Sequence, residues 1–356
     1  MSKDRVVVAM SGGVDSSVAA AFLKEKGYDV IGLTMRLQVE DGRCCSSQDV
    51  EDARRVARIL NMPHYVVSLE EPFQKQVIDY FVTSYLKGRT PNPCAVCNPT
   101  IKFGELFQKA QALNAHYLAT GHYAMVTYNP EYQCYLLRRG KERGKDQSYF
   151  LARLSQHVLK QVLFPVGSFP KVKIRKLAER FGLPVAEKKE SQEVCFVPGG
   201  DIIDFIRKQT GLSFNSGPIV DGENQTVGIH SGIIGYTIGQ RKGLGIALGK
   251  PVYVTKIDAS TNTVFIGNDK DLYKKGFEGV DAKWISIPKM CGTMRLKTRI
   301  RYQHRPDWAD VYPMKNGKVN VHFIKPQRAI TPGQLAVFYD EDIVVGSAWI
   351  DRVQNE

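Results

Sequence analysis

Three features of the chain predict an α/β fold: an N-terminal doubly wound parallel sheet followed by two small β-rich domains, the last a β-barrel. The apolar run Arg5-Val6-Val7-Val8-Ala9-Met10 passes directly into Ser11-Gly12-Gly13-Val14-Asp15-Ser16-Ser17 and then Val18-Ala19-Ala20-Ala21-Phe22-Leu23. That is the pattern of a short buried strand, a tight glycine turn and a helix. Strand and helix signals then alternate through the first third, as a parallel sheet requires. After about Gly199 they give way to glycine-punctuated strand-like runs, and from Trp284 onward to nearly continuous alternating strand.

In order, Asp29 to Leu37 reads as a second strand, and Ser46 or Ser47 caps a helix running to Leu60. Tyr65-Val66-Val67 is a third strand. Phe73 to Leu86 and Ile101 to Leu113 are apolar at helical spacing, with the turn-rich Thr90-Pro91-Asn92-Pro93 between them. His116 to Thr120 is the next strand. Beyond it come a helix over Asp201 to Gln209 and strand-like runs Ile229–Ile238, Val252–Ile257 and Thr263–Ile266. The final strands are Thr293–Tyr302, Lys318–Phe323 and Gln334–Tyr339. The expected domains are 1–200, 201–280 and 281–356.

The 356 residues, 43% of them hydrophobic, can bury more than one core, and the net charge of +13 favours a polyanionic partner. No signal peptide and no apolar run long enough to span a membrane is visible, so a reducing, cytoplasmic setting is expected. There the seven cysteines are reactive, metal-binding or simply buried, not bridging.

The glycine turn carries the first chemistry. Gly12 and Gly13 let the backbone approach a ligand, Ser11, Ser16 and Ser17 add hydroxyls, and the first-turn N–H groups of the helix point at whatever lies above. Such a turn binds phosphate. It lacks the G-x-x-x-x-G-K-[ST] pattern, so no loop lysine neutralises the phosphates; Asp15 is a natural Mg²⁺ ligand. Ser11-Gly12-Gly13-Val14-Asp15-Ser16 resembles the SGGxDS loop of ATP pyrophosphatases, which split ATP between the α- and β-phosphates and transfer AMP to an oxygen.

Cysteines carry the second. Asn92-Pro93-Cys94-Ala95-Val96-Cys97-Asn98 places a C-x-x-C between two helices, where a helix N-terminus favours the thiolate. Cys195, in Ser191-Gln192-Glu193-Val194-Cys195-Phe196, lies at a polar-to-apolar junction near the domain boundary. One C-x-x-C is short of the four ligands of a zinc site. Burial is the default for Cys44, Cys45, Cys134 and Cys291. An adenylated oxygen needs a nucleophile to displace AMP; a persulfide serves, and a second thiol releases its terminal sulfur by forming a disulfide. Sulfur insertion therefore accounts for a pair of reactive cysteines beside an adenylating loop.

Several stretches together resemble the bacterial and mitochondrial tRNA-specific 2-thiouridylase family. They are Met10 to Ser16, Asn92-Pro93 through Cys97-Asn98, Thr120-Gly121-His122-Tyr123-Ala124, Lys145-Asp146-Gln147-Ser148-Tyr149-Phe150, Cys195-Phe196, Tyr236 to Gly245 and Ile330 to Gln334. The resemblance covers essentially the whole chain. It implies 2-thiouridine formation at the wobble position, U34, of tRNAs for Lys, Glu and Gln. ATP would adenylate O2 of the flipped uridine, with Mg²⁺ on the pyrophosphate.

It also implies roles. Ala9, Met10, Ser11, Gly12, Gly13, Val14, Asp15 and Ser16 hold ATP, with Met35 and Gly121 at the nucleotide. Cys195 carries a persulfide, loaded by a donor such as a cysteine desulfurase or sulfur-relay protein, and Cys97 closes a disulfide with it. Asn92, Pro93 and Cys94 face the target base. His122, Lys145, Asp146, Gln147, Arg301, Tyr302 and Gln334 approach the tRNA.

One departure stands out: many family members have an aspartate where this chain has Cys94. Cys94, Cys97 and Cys195 offer three thiolates for a [4Fe–4S] cluster with one open iron position, an alternative sulfur source to the persulfide. An ATP-dependent amide ligase and a nucleotide-regulated RNA-binding protein are further alternatives.

The basic stretches fit RNA. Arg138, Arg139, Lys141, Arg143 and Lys145 face only Glu142 within 138–145, and residues 281–330 hold eleven Lys/Arg against three Asp, interleaved with Tyr302, His304 and Trp308. Gly239 to Gly245 lacks a strand-to-helix context and reads as a structural turn.

Overall fold

The computed structural model describes residues 4–37, 47–188, 194–246 and 248–354. Cys44, Cys45, Ser46 and the Ser191-Gln192-Glu193 run lie outside them. The chain divides into two compact units: Met1–Val77 with Cys94–Gly200 and Asp342–Val344, and Ile78–Pro93 with Asp201–Glu341 and Val345–Glu356.

The first unit is built on a parallel sheet. Its strands are β1 (Arg5–Ala9), β2 (Asp29–Arg36), β3 (His64–Ser68), β4 (Tyr117–Ala119) and, after the antiparallel hairpin β5 (Ala124–Asn129) and β6 (Cys134–Arg139), β7 (Val162–Leu163). The order is β3-β2-β1-β4-β7, with every pairing parallel. Val6, Val7 and Val8 are fully buried, as expected of a central strand covered on both faces. Helix α1 (Val14–Glu25) buries Ala19, Ala20 and Ala21, and these small side chains let the Lys171–Arg180 helix pack closely through Ile174 and Ala178. Helix α2 (Ser47–Ile59) buries Ala53, Val56 and Ala57 in the same core. Chain order runs one way from β1 to β3 and the other way to β4, so a topological switch point falls between β1 and β4.

The second unit holds a small sheet and a barrel. The sheet runs β10 (Tyr253–Asp258), β11 (Thr263–Gly267), β8 (Gly217–Val220), β9 (Thr226–His230). It follows a helix, Ile202–Thr210, started by the Asp201 side chain accepting from the Asp204 N–H and ended by left-handed Gly211. The barrel comprises β12 (Tyr273–Trp284), β13 (Met294–Arg299), β14 (Asp307–Pro313), β15 (Val319–Arg328), β16 (Leu335–Asp340) and β17 (Ile343–Gln354). Its order is β12-β15-β14-β13-β16-β17, and β12 pairing with β17 closes it, leaving no open edge. Phe277, Leu296, Val311, Val321, Phe338 and Ile350 fill the interior.

Three local readings change. The run Ile229–Ile238 stops as a strand at His230, because Gly232 at φ +135° turns the chain into a 3₁₀ turn over Ile233–Gly235. The β5–β6 hairpin carries no glycine signal in the sequence, its turn containing Gln133 at φ +48°. The C-x-x-C does not sit between helices: Pro93–Cys97 is itself helical and continues through a π-helical stretch, Asn98–Glu105, into Leu106–Ala112. Pro93 at the first helical position removes an N–H that would have no partner there.

Candidate active site

The glycine turn lies at the carboxyl end of β1, beside the switch point. Met10 N–H donates to the Leu33 carbonyl at 2.7 Å, extending the sheet by one bond before the chain turns. The turn is then held from within. Ser16 Oγ accepts from Ser11 N–H at 3.2 Å, and Ser17 Oγ donates to the Gly13 carbonyl at 2.8 Å. Gly13, at the N-cap in extended conformation, offers no side-chain cap, so the first-turn donors of α1 are left for a ligand.

Two glycines are demanded sterically. Gly12 has φ +68°, and a Cβ there would lie 2.3 Å from the Asp49 carbonyl oxygen at the start of α2. Gly121 follows β4, and a Cβ there would lie 2.5 Å from Ser16 N. Gly121 thus brings the β4 loop against the first turn of α1, which joins the two halves of the expected nucleotide site. Met10, Val14 and Met35 are buried and shape the floor of the site from the core side.

Two lysines distant in sequence stand beside the loop, each engaged by carboxylates. Lys171 Nζ lies 2.7 and 2.8 Å from the two oxygens of Asp15, and Tyr123 OH donates to Oδ1 at 2.7 Å. Lys188 Nζ donates to the Gly12 carbonyl at 3.1 Å and bridges Asp49 at 2.7 Å and Asp52 at 2.6 Å. Burial works against the Lys188 charge, but its bonds to Asp49 and Asp52 outweigh that and raise its pKa. Burial likewise works against the Asp52 carboxylate, and the bonds from Lys188 and Gln48 prevail and lower its pKa. A lone lysine 150 residues or more from a motif carries no local signal; only the fold returns it to the loop.

The arrangement fits ATP: a glycine turn with uncapped helical donors and two ammonium groups beside it. Mg²⁺ on Asp15 fits poorly, because Lys171 already engages both carboxylate oxygens. The [4Fe–4S] set does not fit: among the described residues no group of three or more His, Cys, Asp or Glu is placed to hold a metal, so Cys94, Cys97 and Cys195 do not form one. All three are half-buried thiols.

Cys97 closes the first turn and a half of its helix, while Cys94 sits in the first turn, nearer the positive end. The helix dipole expected to favour a thiolate in the C-x-x-C therefore acts more on Cys94 than on Cys97. The buried Asn98 fastens this helix, its Nδ2 donating to the Cys94 carbonyl at 2.9 Å and the Phe150 carbonyl at 3.3 Å. Cys195 is positioned by its neighbour: Phe196 is buried and packs edge-on against Phe73 at 5.6 Å. Phe73 ends the Glu70–Phe73 helix, which contacts the π-helical stretch just after Cys97. The two expected sulfur-handling residues are thus attached to one local packing cluster.

The residues expected at the RNA divide. His122, after β4, bonds Thr120 Oγ1 through Nδ1 at 2.7 Å and lies between Phe103 and Phe164 at 6.0 and 6.1 Å. Burial pushes its imidazole well below the ordinary histidine pKa, with Lys102 adding to the shift, so the ring is neutral. Gln147 Oε1 accepts from Tyr123 N–H at 2.9 Å. Asp146 faces inward: its carboxylate is fully buried and takes bonds from Arg139 Nε and from the N–H groups of Gly140 and Ser148, folding the loop that carries Lys145. Arg138 is paired with Asp342 at 2.8 Å, which leaves Lys141 and Arg143 as the exposed cations of that stretch.

In the barrel, Arg301 donates to the Arg328 carbonyl at 2.9 Å and the Tyr302 ring lies 5.1 Å from the Arg299 guanidinium. His304 is buried, bonds Gln327 at 3.0 Å and is pushed down to about 4 by burial, so it is an internal group and no stacking platform. Trp308 is exposed, with Lys297 5.2 Å from its ring. Gln334 bonds the Thr90 and Pro91 carbonyls. Gly239, Gly243 and Gly245 all have positive φ, in keeping with a structural turn.

Comparison with known proteins gives three consecutive family matches: the tRNA methyl transferase HUP domain over residues 4–199, the tRNA methyl transferase PRC-barrel domain over 203–268 and the aminomethyltransferase beta-barrel domain over 274–350. The tRNA-specific 2-thiouridylase MnmA 1 of Caldanaerobacter subterraneus subsp. tengcongensis is 48% identical, covering 98% of both chains. The tRNA-specific 2-thiouridylase MnmA of Acetivibrio thermocellus is 49% identical over 98% of this chain and 100% of its own. That of Moorella thermoacetica is 49% identical over 98% and 99%. With near-complete coverage at this identity, the chain belongs to the tRNA-specific 2-thiouridylase family.

Proposed function

We propose that this protein is a tRNA-uridine 2-sulfurtransferase acting at the wobble uridine of tRNAs for Lys, Glu and Gln, with ATP split to AMP and pyrophosphate. The observation that carries this reading is the uncapped, glycine-lined start of α1 at the switch point, flanked by Lys171 and Lys188. Family membership supplies the substrate class. ATP, when bound, supplies the adenylyl group that turns O2 of the uridine into a leaving group.

The chain's own residues do the rest. The α1 donors and the two lysines hold the phosphates. Asn92, Pro93 and Cys94 receive the target base, and His122, Lys145, Gln147, Arg301 and Tyr302 contact the tRNA. A persulfide on Cys195, loaded by an external sulfur donor, attacks C2 through its terminal sulfur as AMP departs. Cys97 thiolate then attacks Sγ of Cys195, breaking the S–S bond; the sulfur stays on the uridine and a Cys97–Cys195 disulfide remains, to be reduced by an external thiol. Asp15 is engaged by Lys171, and Cys94, Cys97 and Cys195 form no three-ligand metal group among the described residues, so Cys97 and Cys195 act as thiols.

The test is nucleoside mass spectrometry of unmodified tRNA after incubation with the protein, ATP and a persulfide donor. 2-Thiouridine at the wobble position is expected, with AMP formed alongside. AMP without any thiolated nucleoside, or no AMP in the presence of tRNA and donor, contradicts the proposal.

A further inference from the structure

Three consecutive residues of β17 hold the segment that leads into Asn92 and Pro93, Trp349 and Asp351 directly and Ile350 through the 331–334 turn. Trp349 packs its ring on Tyr80 at 5.9 Å, and the Tyr80 hydroxyl accepts from Asn92 N–H at 3.4 Å. Ile350 exchanges backbone bonds with the 331–334 turn, Gly333 N–H to the Ile350 carbonyl at 2.8 Å and Ile350 N–H to the Gln334 carbonyl at 2.9 Å. Asp351 pairs with Arg89. Strand alternation explains the division of labour: Ile350 points into the barrel core while Trp349 and Asp351 point the other way.

The turn anchored by Ile350 then grips the segment directly. Thr90 N–H donates to the Pro332 carbonyl at 3.0 Å. Gln334 Nε2 donates to two successive carbonyls, Thr90 at 3.1 Å and Pro91 at 3.0 Å. Gly333, at φ +92°, permits the approach, since a Cβ there would lie 2.8 Å from the Thr90 oxygen. Thr90 and Pro91 lie in no helix or strand, so these carbonyls have no regular ladder to satisfy them.

We infer that Gln334 is a positioning residue: through Thr90 and Pro91 it sets the backbone of Asn92 and Pro93, and the barrel thereby fixes the base-receiving motif. This rests on the reading that Asn92 and Pro93 face the target uridine. An amide side chain is required because both partners are acceptors, and both protons of one –NH₂ are used. A misplacement of about 1 Å at a reacting base is enough to cost turnover heavily.

The test uses full-length protein carrying Gln334→Glu, which keeps the side-chain length and replaces the donor with an acceptor, and Arg89→Met, which cuts a second tether without touching the barrel core. Three quantities are read: tRNA Kd, kcat for 2-thiouridine, and deuterium exchange of the Arg89, Thr90 and Asn92 amides. Both variants are expected to exchange faster at those amides. Gln334→Glu is expected to lower kcat roughly 10- to 100-fold. Unchanged exchange overturns the inference, as does faster exchange with kcat intact. A weakened Kd with unchanged kcat also overturns it, making Gln334 an RNA contact only. If the wild-type protein forms no 2-thiouridine, the thiolation reading is what fails, and the exchange measurement still decides whether Gln334 anchors the segment.

Discussion

Lys171 closes over Asp15, its Nζ 2.7 and 2.8 Å from the two carboxylate oxygens, with the lysine side chain 9% exposed and the aspartate 26%. The pair places an ammonium group beside the first turn of α1, where a loop lysine is lacking, with Asp15 balancing its charge. Removing one partner of such a pair leaves the other charged and poorly solvated. Lys171→Met is expected to destabilise the fold by about 1–3 kcal/mol and to lower AMP formation roughly 100-fold. Calorimetry and a pyrophosphate-release assay read the two effects. Wild-type release from Lys171→Met removes the lysine from the phosphate site.

Lys188 contributes differently, because it ties the Gly12 carbonyl to α2. The folded-state pKa of Asp52 lies below its ordinary 3.8, so its stabilising effect is present above that value and lost as pH falls through the lowered one. Lys188 is raised above 10.5, so its effect is present below that and lost as pH rises through the raised value. The Tm difference between wild type and Lys188→Met should therefore be widest across the neutral range and narrow at both extremes. A gap that does not vary with pH would mean that packing, and not charge, is what Lys188 supplies.

His304 gives an acid-side prediction for the barrel. Burial holds its folded pKa at about 4, below the ordinary 6.5, so the unfolded chain takes up a proton first. Stability is complete above 6.5 and declines as pH falls toward 4, by roughly 3 kcal/mol over that interval. Thermal melts at pH 7.5 and 5 should show the loss, and His304→Gln should reduce it. An equal loss in His304→Gln shifts the cause to another group, the neutral His122 first.

Gly121→Ala tests the close approach of the β4 loop to α1. A Cβ 2.5 Å from Ser16 N cannot be accommodated without moving backbone. The expected outcome is a raised KM for ATP, because the first turn of α1 must shift to make room. Normal ATP kinetics would show that the loop relaxes freely.

The two cysteines separate by assay. Cys195→Ala should retain tRNA-dependent pyrophosphate release while losing sulfur transfer from a persulfide donor. Cys97→Ser should stall after C2–S bond formation, trapping tRNA on the protein through Cys195. Full thiolation by Cys195→Ala refutes its assigned role, and the absence of a trapped adduct refutes that of Cys97.

The phosphate turn was legible in the sequence because strand, glycine turn and helix are contiguous and each depends on neighbours within a few residues. The parallel first sheet and the strand-rich second half followed from periodicity for the same reason. The β-barrel expected for the last domain is present, but which strands close it was not legible, because β12 pairs with β17 across most of that domain. Residue types alone also misassigned direction. Asp146 and His304 lie in basic stretches that read as RNA-facing, yet both are buried, one folding a loop and the other bonding Gln327. Gln334 carries a motif but spends its amide on its own chain.

What the sequence by itself determined is therefore the chemistry that local pattern encodes: an anion-binding helix start, a C-x-x-C and a third cysteine, and two kinds of domain. What only the tertiary structure decided is which charges lie beside that turn. Asp15 and Lys171 are 156 residues apart, and Gly12 and Lys188 are 176 apart. No periodicity links positions so distant; the helix packing that buries Ile174 and Ala178 against α1 brings Lys171 to Asp15. The glycine turn is a local feature, and the fold brings the two lysines to it.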